Sequence, residues 1–595
     1  MSEYVAPLQQ IRFTLEHLAE YADVAALADF AHVTPDIVAA VLEEAARFAS
    51  AELAPINALG DRVGVAVVGD EVQVPKEFAA VYGRFREGGW PSIASSPEIG
   101  GQGLPKTVAV ACEEMWNSAN MAFALCPELS QGALLAIDRH GDELLRRTYL
   151  EKLASGEWTG TMCLTEPQAG SDLAAITTRA VPKGAEFLLT GRKIFITWGD
   201  HAMTDNIVHL VLARLPDAPH GTKGISLFAV PKFRLRADGS RGERNDVQPV
   251  SVEHKLGIHA SPTCVMAFGD HGGAEGHLIG QPNEGLAAMF TMMNYMRLGV
   301  GVQGMGVAER SYQRCVTFAR ERLQGKAPGE RGRVAIIRHP DVRRMLLIMR
   351  TLTQASRALC YYAAACLDRA AHGTDASVAE VMQARADLLT PVAKAWCTES
   401  AQESTSLGIQ IHGGMGYVEE TGVAQYFRDV RIASIYEGTN GIQAGDLIGR
   451  KVLRDGGATV AALVSEMRSV DAPLANAGDV FSGVRAALSR GLDEVVQAST
   501  FVLTGEKRDP DLAGASAMNY LMLLGTVIGG WQLARGALAA NAALEAGGSV
   551  DKSFMQTQLV LARFYAEHIM PRAGAYGAAL RAGSSSLMTL TPEQF

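Results

Sequence analysis

The hydrophobic period of this chain changes twice, and those changes bound its architecture. From residue 1 to about 158, apolar residues recur at helical spacing in segments such as VLEEAARFASAEL, interrupted by EGGWPSIASSPEIGGQGLP at 87–105. Between about 159 and 282 come short β-rich runs, EFLLTGRKIFIT, NIVHLVLARL, GISLFAVPKF and TCVMAFGD, parted by Gly, Pro and Asp turns. Helical spacing returns from about 284, and in MLLIMRTLTQASRAL the residues Met345, Ile348, Met349, Leu352 and Leu359 form one apolar stripe. This stretch runs to Val452, and after DGGATV a second Ala-rich helical region reaches the C-terminus. The pattern predicts a mainly α protein with an inserted β-barrel-like domain and an extra C-terminal helical domain. The expected divisions are 1–158, 159–282, 283–452 and 453–595.

A chain of 595 residues exceeds what one hydrophobic core holds, which agrees with several domains. Its formal charge of -10, without a long basic run, argues against a nucleic-acid partner and for small organic ligands. Eight cysteines lie scattered without a CxxC pair, so neither a disulfide framework nor a zinc site is expected, and no metal. The N-terminus has acids early and no apolar h-region. The apolar run YLMLLGTVIGGW at 520–531 falls short of the ~18 residues that span a bilayer. The expectation is a cytoplasmic protein with no integral membrane segment.

Five motifs bear on chemistry. RLGVGVQGMG holds Gly299, Gly301 and Gly304 in GxGxxG spacing, but the helical MFTMMNYMR precedes it where a dinucleotide-binding turn needs a strand. Close approach of two helices is the better reading. MCLTEPQAGSDL, 162–173, bends at Pro167 and Gly170, so backbone N–H groups can face an acceptor, with Thr165, Ser171 and Asp172 as further partners; an ordinary turn fits the same residues. KIFITWGD, 193–200, ends a strand on Thr197 and Trp198, which suits either a flat ligand ring or a buried Trp. IQIHGGMGYVEETG, 409–422, joins Gln410 to a Gly series that permits close approach to phosphate, while His412 lacks metal-ligand spacing and reads as a packed histidine. Last, ASIYEGTNGIQ at 433–443 sets one carboxylate, Glu437, among an aromatic ring and small or amide residues.

In this order the segments resemble the acyl-CoA dehydrogenase family of flavoproteins, over roughly residues 35 to 450. MCLTEPQAGSD looks like the first family signature, and IQIHGGMGYVEE with IYEGTNGIQ like the second. The N-terminal extension, the loop KAPGERGRVAIIRHPDV at 326–342 and the added C-terminal region look like the roughly 600-residue branch of the family. That branch includes enzymes acting on a methylthio-substituted propionyl-CoA.

The resemblance implies α,β-dehydrogenation of an acyl-CoA to a trans-2-enoyl-CoA, with FAD as cofactor and an electron-transfer flavoprotein as acceptor. Glu437 would be the base, desolvated beside Tyr436 so that its pKa rises toward neutrality. Its backbone N–H would bind the thioester oxygen. Met162, Leu164 and Thr165 would hold the flavin's pyrimidine edge, and Thr197 would bond near N5. Ser171, Asn294 and Arg297 match positions near the acyl-CoA, Asn294 standing where many relatives carry Asp. Arg322, Gln410 and Gly414 match positions that reach the cofactor's pyrophosphate and adenosine from a neighbouring subunit, and Thr439 follows the acid on its loop. After Arg322 the sequence reads LQGK, where many relatives keep a phenylalanine against the adenine. A homodimer is the expected assembly. The rivals are an acyl-CoA oxidase, with oxygen as acceptor, and a non-catalytic flavin- or CoA-binding assembly protein on the same scaffold.

Overall fold

The β-rich runs of the middle segment form a curled, mixed eight-stranded sheet. The structure is a computed structural model and describes residues 4–236, 238–329, 331–547 and 550–595, so the first three residues of the N-terminal reading and residue 330 of the 326–342 loop lie outside it. The strands follow the order Val247–Val252, Thr263–Phe268, Glu186–Thr197, Ala274–Ile279, Ser226–Pro231, Asn206–Ala213, Trp158–Cys163, with Arg179–Lys183 hairpinned onto Glu186–Thr197. Neighbours run antiparallel except Trp158–Cys163 and Asn206–Ala213, which are parallel. Asn206–Ala213 and Ser226–Pro231 are buried at every position. Strands covered on both faces need continuous apolar sequence, which is why NIVHLVLA and SLFAVP do not alternate.

Contacts divide the chain into two units that interleave along the sequence. One takes Arg47–Leu104 and Ala119–Met296 and contains the sheet; the other takes Met1–Ala46, Pro105–Ser118 and Arg297–Phe595 and is helical. The sheet unit's core gathers Cys163, Leu189, Ile196, Val211, Phe228, Met266 and Phe268, all with almost no exposure.

In the helical unit, RLGVGVQGMG lies within the Gly285–Glu321 helix. A Cβ on Gly301 would stand 2.8 Å from the Ala393 carbonyl oxygen, and one on Gly304 would stand 3.2 Å from Thr398 Cα. The glycines therefore admit the Ala376–His412 helix at close range, and the GxGxxG spacing is helix packing. Leu512–Ala546 is apolar on every side, long enough to cross a membrane by length and composition, yet 67% of its most apolar window is buried in protein. Gly525 and Gly529 lie against Trp396, whose indole N–H donates to Thr526 Oγ1 at 3.4 Å.

Candidate active site

Glu437 sits in a turn that L-amino acids seldom adopt. Its φ is 58° and that of Gly438 is 86°, two left-handed residues in succession. For a non-glycine residue that conformation costs about 1–3 kcal/mol and persists only where neighbours enforce it. The Gln443 amide does so, donating to the Glu437 carbonyl at 3.0 Å and to the Gly438 carbonyl at 3.4 Å. Thr439 then caps the Asn440–Asp446 helix, its hydroxyl accepting from Ile442 N–H at 3.3 Å.

The turn delivers a carboxylate whose Oε2 is buried and has no hydrogen-bond partner among the described residues. Burial raises the acid's pKa to about 7, against the opposing pull of Arg297 and Lys394. Arg297 is itself buried, with Asp446 Oδ2 3.6 Å from its guanidinium. Tyr436, half-buried, donates its hydroxyl to Gln303 Oε1 of the Gly285–Glu321 helix. Asn294 is exposed one turn before Arg297 on that helix, so the two share a face.

The residues expected around the flavin ring come together in the sheet unit. The Ile194 N–H donates to the Thr165 carbonyl at 2.9 Å, and the Thr161 hydroxyl to the Thr197 carbonyl at 2.6 Å. These bonds set the 162–165 segment beside the 194–197 strand end. There Met162, Leu164, Thr165 and Thr197 are all half-buried. Pairing with Thr263–Phe268 shifts register between Cys264 and Met266, and the extra residue, Phe195, has φ 59°. Trp198, with φ 52°, turns into the core and donates its indole N–H to the Ala122 carbonyl at 3.2 Å. A bulge and a left-handed Trp thus fix where Thr197 ends up. Ser171 is exposed, and the Asp172 carboxylate, expected as a ligand partner, caps its own loop by accepting from Ala174 N–H at 3.0 Å.

Arg322, Gln410 and Gly414 are exposed at neighbouring helix ends of the helical unit. His412 stacks on Phe318, centroids 4.2 Å apart, and its Nδ1 lies 2.8 Å from the Gly408 carbonyl oxygen, so it is a packed histidine.

Two lysines escaped the sequence reading. Lys193, fully buried, donates to Glu166 Oε1 at 2.8 Å and to the Leu164 carbonyl at 3.0 Å. Glu166 also accepts from the N–H and hydroxyl groups of Thr177 and Thr178 at 2.6–3.1 Å. Burial works against its charge, but Lys193 and these donors hold its pKa down at about 2. The pair ties the 162–165 loop to the strand beneath. Lys394, also fully buried, donates to Asn440 Oδ1 at 2.9 Å. The signal in the sequence was slight: Lys394 is the single charge within TPVAKAWC, and Lys193 follows Arg192 at the start of KIFIT.

Comparison with known proteins agrees with this geometry. Models described as the N-terminal, middle and C-terminal domains of acyl-CoA dehydrogenase match residues 38–157, 161–271 and 283–453. One described as acetyl-CoA dehydrogenase C-terminal like matches 458–591. The 3-methylmercaptopropionyl-CoA dehydrogenase of Ruegeria pomeroyi is 44% identical across 98% of this chain and 99% of its own. A chain solved in work on the electron transferring flavoprotein of Acidaminococcus fermentans is 28% identical, with TM-score 0.58, over 71% of this chain and 99% of that one. A Bacillus anthracis acyl-CoA dehydrogenase solved with FAD shares the fold, with TM-score 0.74 and 21% identity over 92% of this chain and 88% of that one. The chain belongs to the acyl-CoA dehydrogenase family, oxidoreductases acting on CH–CH donors.

Proposed function

We propose that the chain is an FAD-dependent dehydrogenase of 3-methylmercaptopropionyl-CoA, forming the trans-2-enoyl thioester and passing electrons to an electron-transfer flavoprotein. The observation that carries the chemistry is the Glu437 carboxylate, its Oε2 buried and without a hydrogen-bond partner among the described residues, and its pKa raised to about 7. A base near neutrality can take a weakly acidic α-proton and give it up again. The substrate choice rests on the near full-length similarity to the Ruegeria pomeroyi enzyme.

The residues present fit the cofactor. The half-buried hydroxyls of Thr165 and Thr197, with the 162–165 backbone, match the donors and acceptors of a flavin's pyrimidine edge. The exposed Arg322, Gln410 and Gly414 suit a pyrophosphate reached from a neighbouring subunit. When bound, FAD supplies a hydride acceptor at its N5. Glu437 breaks the Cα–H bond, holding the proton on Oε2 while the electron pair remains on the thioester as an enolate. The Glu437 N–H binds the enolate oxygen, and the buried Arg297 cation favours its charge. Tyr436 shields the acid from water.

The same reading makes the enzyme a cytoplasmic homodimer. Its eight cysteines are all free and buried, which suits a reducing compartment. A tetramer in light scattering would contradict the assembly. The substrate is tested by anaerobic loss of flavin absorbance with a panel of acyl-CoAs, short to long, including the methylthio compound. Fastest bleaching by the methylthio compound is expected, and a preference for a plain long-chain acyl-CoA would refute it. Peroxide formation in air without an added electron carrier would favour an oxidase.

A further inference from the structure

Lys394 is a buried cation that the chemistry above does not use. Its ammonium reaches Asn440, the first residue of the helix that follows the Glu437 turn, at 2.9 Å. Asn440 in turn donates to Thr398 Oγ1 at 3.0 Å and to Glu399 Oε1 at 2.7 Å. Lys394, Thr398 and Glu399 lie on one helix, so the three together grip the far end of the turn that Gln443 closes. A hydroxyl or amide could hold Asn440 without the several kcal/mol that burying an ammonium costs. The charge therefore calls for a reason beyond the hydrogen bond.

We propose that Lys394 is a positioning residue for the dehydrogenation, fixing the Glu437 turn through Asn440 and keeping the Glu437 carboxylate ionised at working pH. This rests on Glu437 being the base. Among the described residues, the charges acting on that carboxylate are Arg297 from the Gly285–Glu321 helix and Lys394 from the Ala376–His412 helix, and Glu399 of the latter helix acts on Lys394. Beyond them lies Asp446, within 3.6 Å of Arg297 and 3.4 Å of Arg450. Lys394 is pushed down to about 7 by its burial, while Glu437 and Glu399 favour its charged form and Arg297 opposes it. Acid and lysine thus meet near the same pH, and each favours the other's ionised form.

The test compares flavin-loaded Lys394→Met, Lys394→Gln and Lys394→Arg with wild type, measuring anaerobic flavin reduction from pH 5.5 to 9. Without the cation the Glu437 pKa rises, so both neutral variants should move the acid limb up by about one pH unit, a tenfold loss at pH 6.5 that shrinks above pH 8.5. Lys394→Arg should leave the limb in place or lower it. A loss equal at every pH in the neutral variants, or an unmoved limb, overturns the proposal. Should both neutral variants fail to fold, an upward shift in Lys394→Arg overturns it. Glu437→Gln run alongside separates the two claims. Wild-type reduction in that variant would remove the base assignment itself, whereas slow reduction there with unmoved limbs in the lysine variants removes only the role of Lys394.

Discussion

Holding a carboxylate in a dry turn for catalysis costs stability, and Glu437→Gln makes that cost measurable. Burial raises the Glu437 pKa from 4.5 to about 7. Below pH 4.5 the acid is protonated whether the chain is folded or not, and its contribution is fully present. As pH rises from 4.5 through 7 the unfolded chain releases a proton that the folded one keeps, so stability is lost across that window. The shift is worth roughly 3 kcal/mol. The amide of the variant does not titrate, so its stability relative to wild type should grow by about that amount between pH 5 and 8.5. Lys394, relieved of the carboxylate that favours its charge, titrates lower in the variant and adds in the same direction. With about 2 cal/mol/K of unfolding entropy per residue, the growth corresponds to roughly 2 to 4 °C in melting temperature, depending on how much of the chain melts together. Scanning calorimetry of both proteins at half-unit pH steps reads it. Melting curves that stay parallel over the whole range would refute the claim that the carboxylate is desolvated.

Two further perturbations test the supporting structure. Lys193→Met leaves Glu166 buried without its counter-charge and should cost about 3–5 kcal/mol; the freed 162–165 loop should also weaken FAD retention, read by flavin content after gel filtration. Gly301→Leu drives a side chain into the Ala393 carbonyl and should cost at least ~1–3 kcal/mol by thermal melting, whereas a nucleotide-binding glycine would spare the fold.

Much of this was legible in the sequence because it depends on local order. The switch from helical to strand periodicity marked the sheet, and the helical run before Gly299 was enough to read Gly301 and Gly304 as packing glycines. The motif around Glu437 drew attention to a lone acid. What stayed hidden depends on contacts between distant positions. Glu166 and Lys193 stand 27 residues apart, as the loop and strand fold back on each other. Lys394 and Asn440 stand 46 apart and meet only because the turn lies on the helix. The left-handed backbone of Phe195, Trp198 and Glu437 runs against the preference of those residue types, so no local rule foretells it. Lys106–His140 is helical on either side of Asn120, whose φ −161° and ψ 89° break it, and the Asn120 Oδ1 accepts from Phe123 N–H at 3.1 Å to start the second part. One of the boundaries between the two units, after Ser118, falls beside this break.

The central claim is that the side chain at 437 takes a proton from the carbon next to a thioester. It is tested by mixing flavin-loaded Glu437→Gln anaerobically with an acyl-CoA that the wild type oxidises, after checking that the variant binds it. Flavin bleaching should slow by roughly 10²–10⁴-fold, the range that loss of a general base commands. Bleaching within a few-fold of wild type would contradict the account.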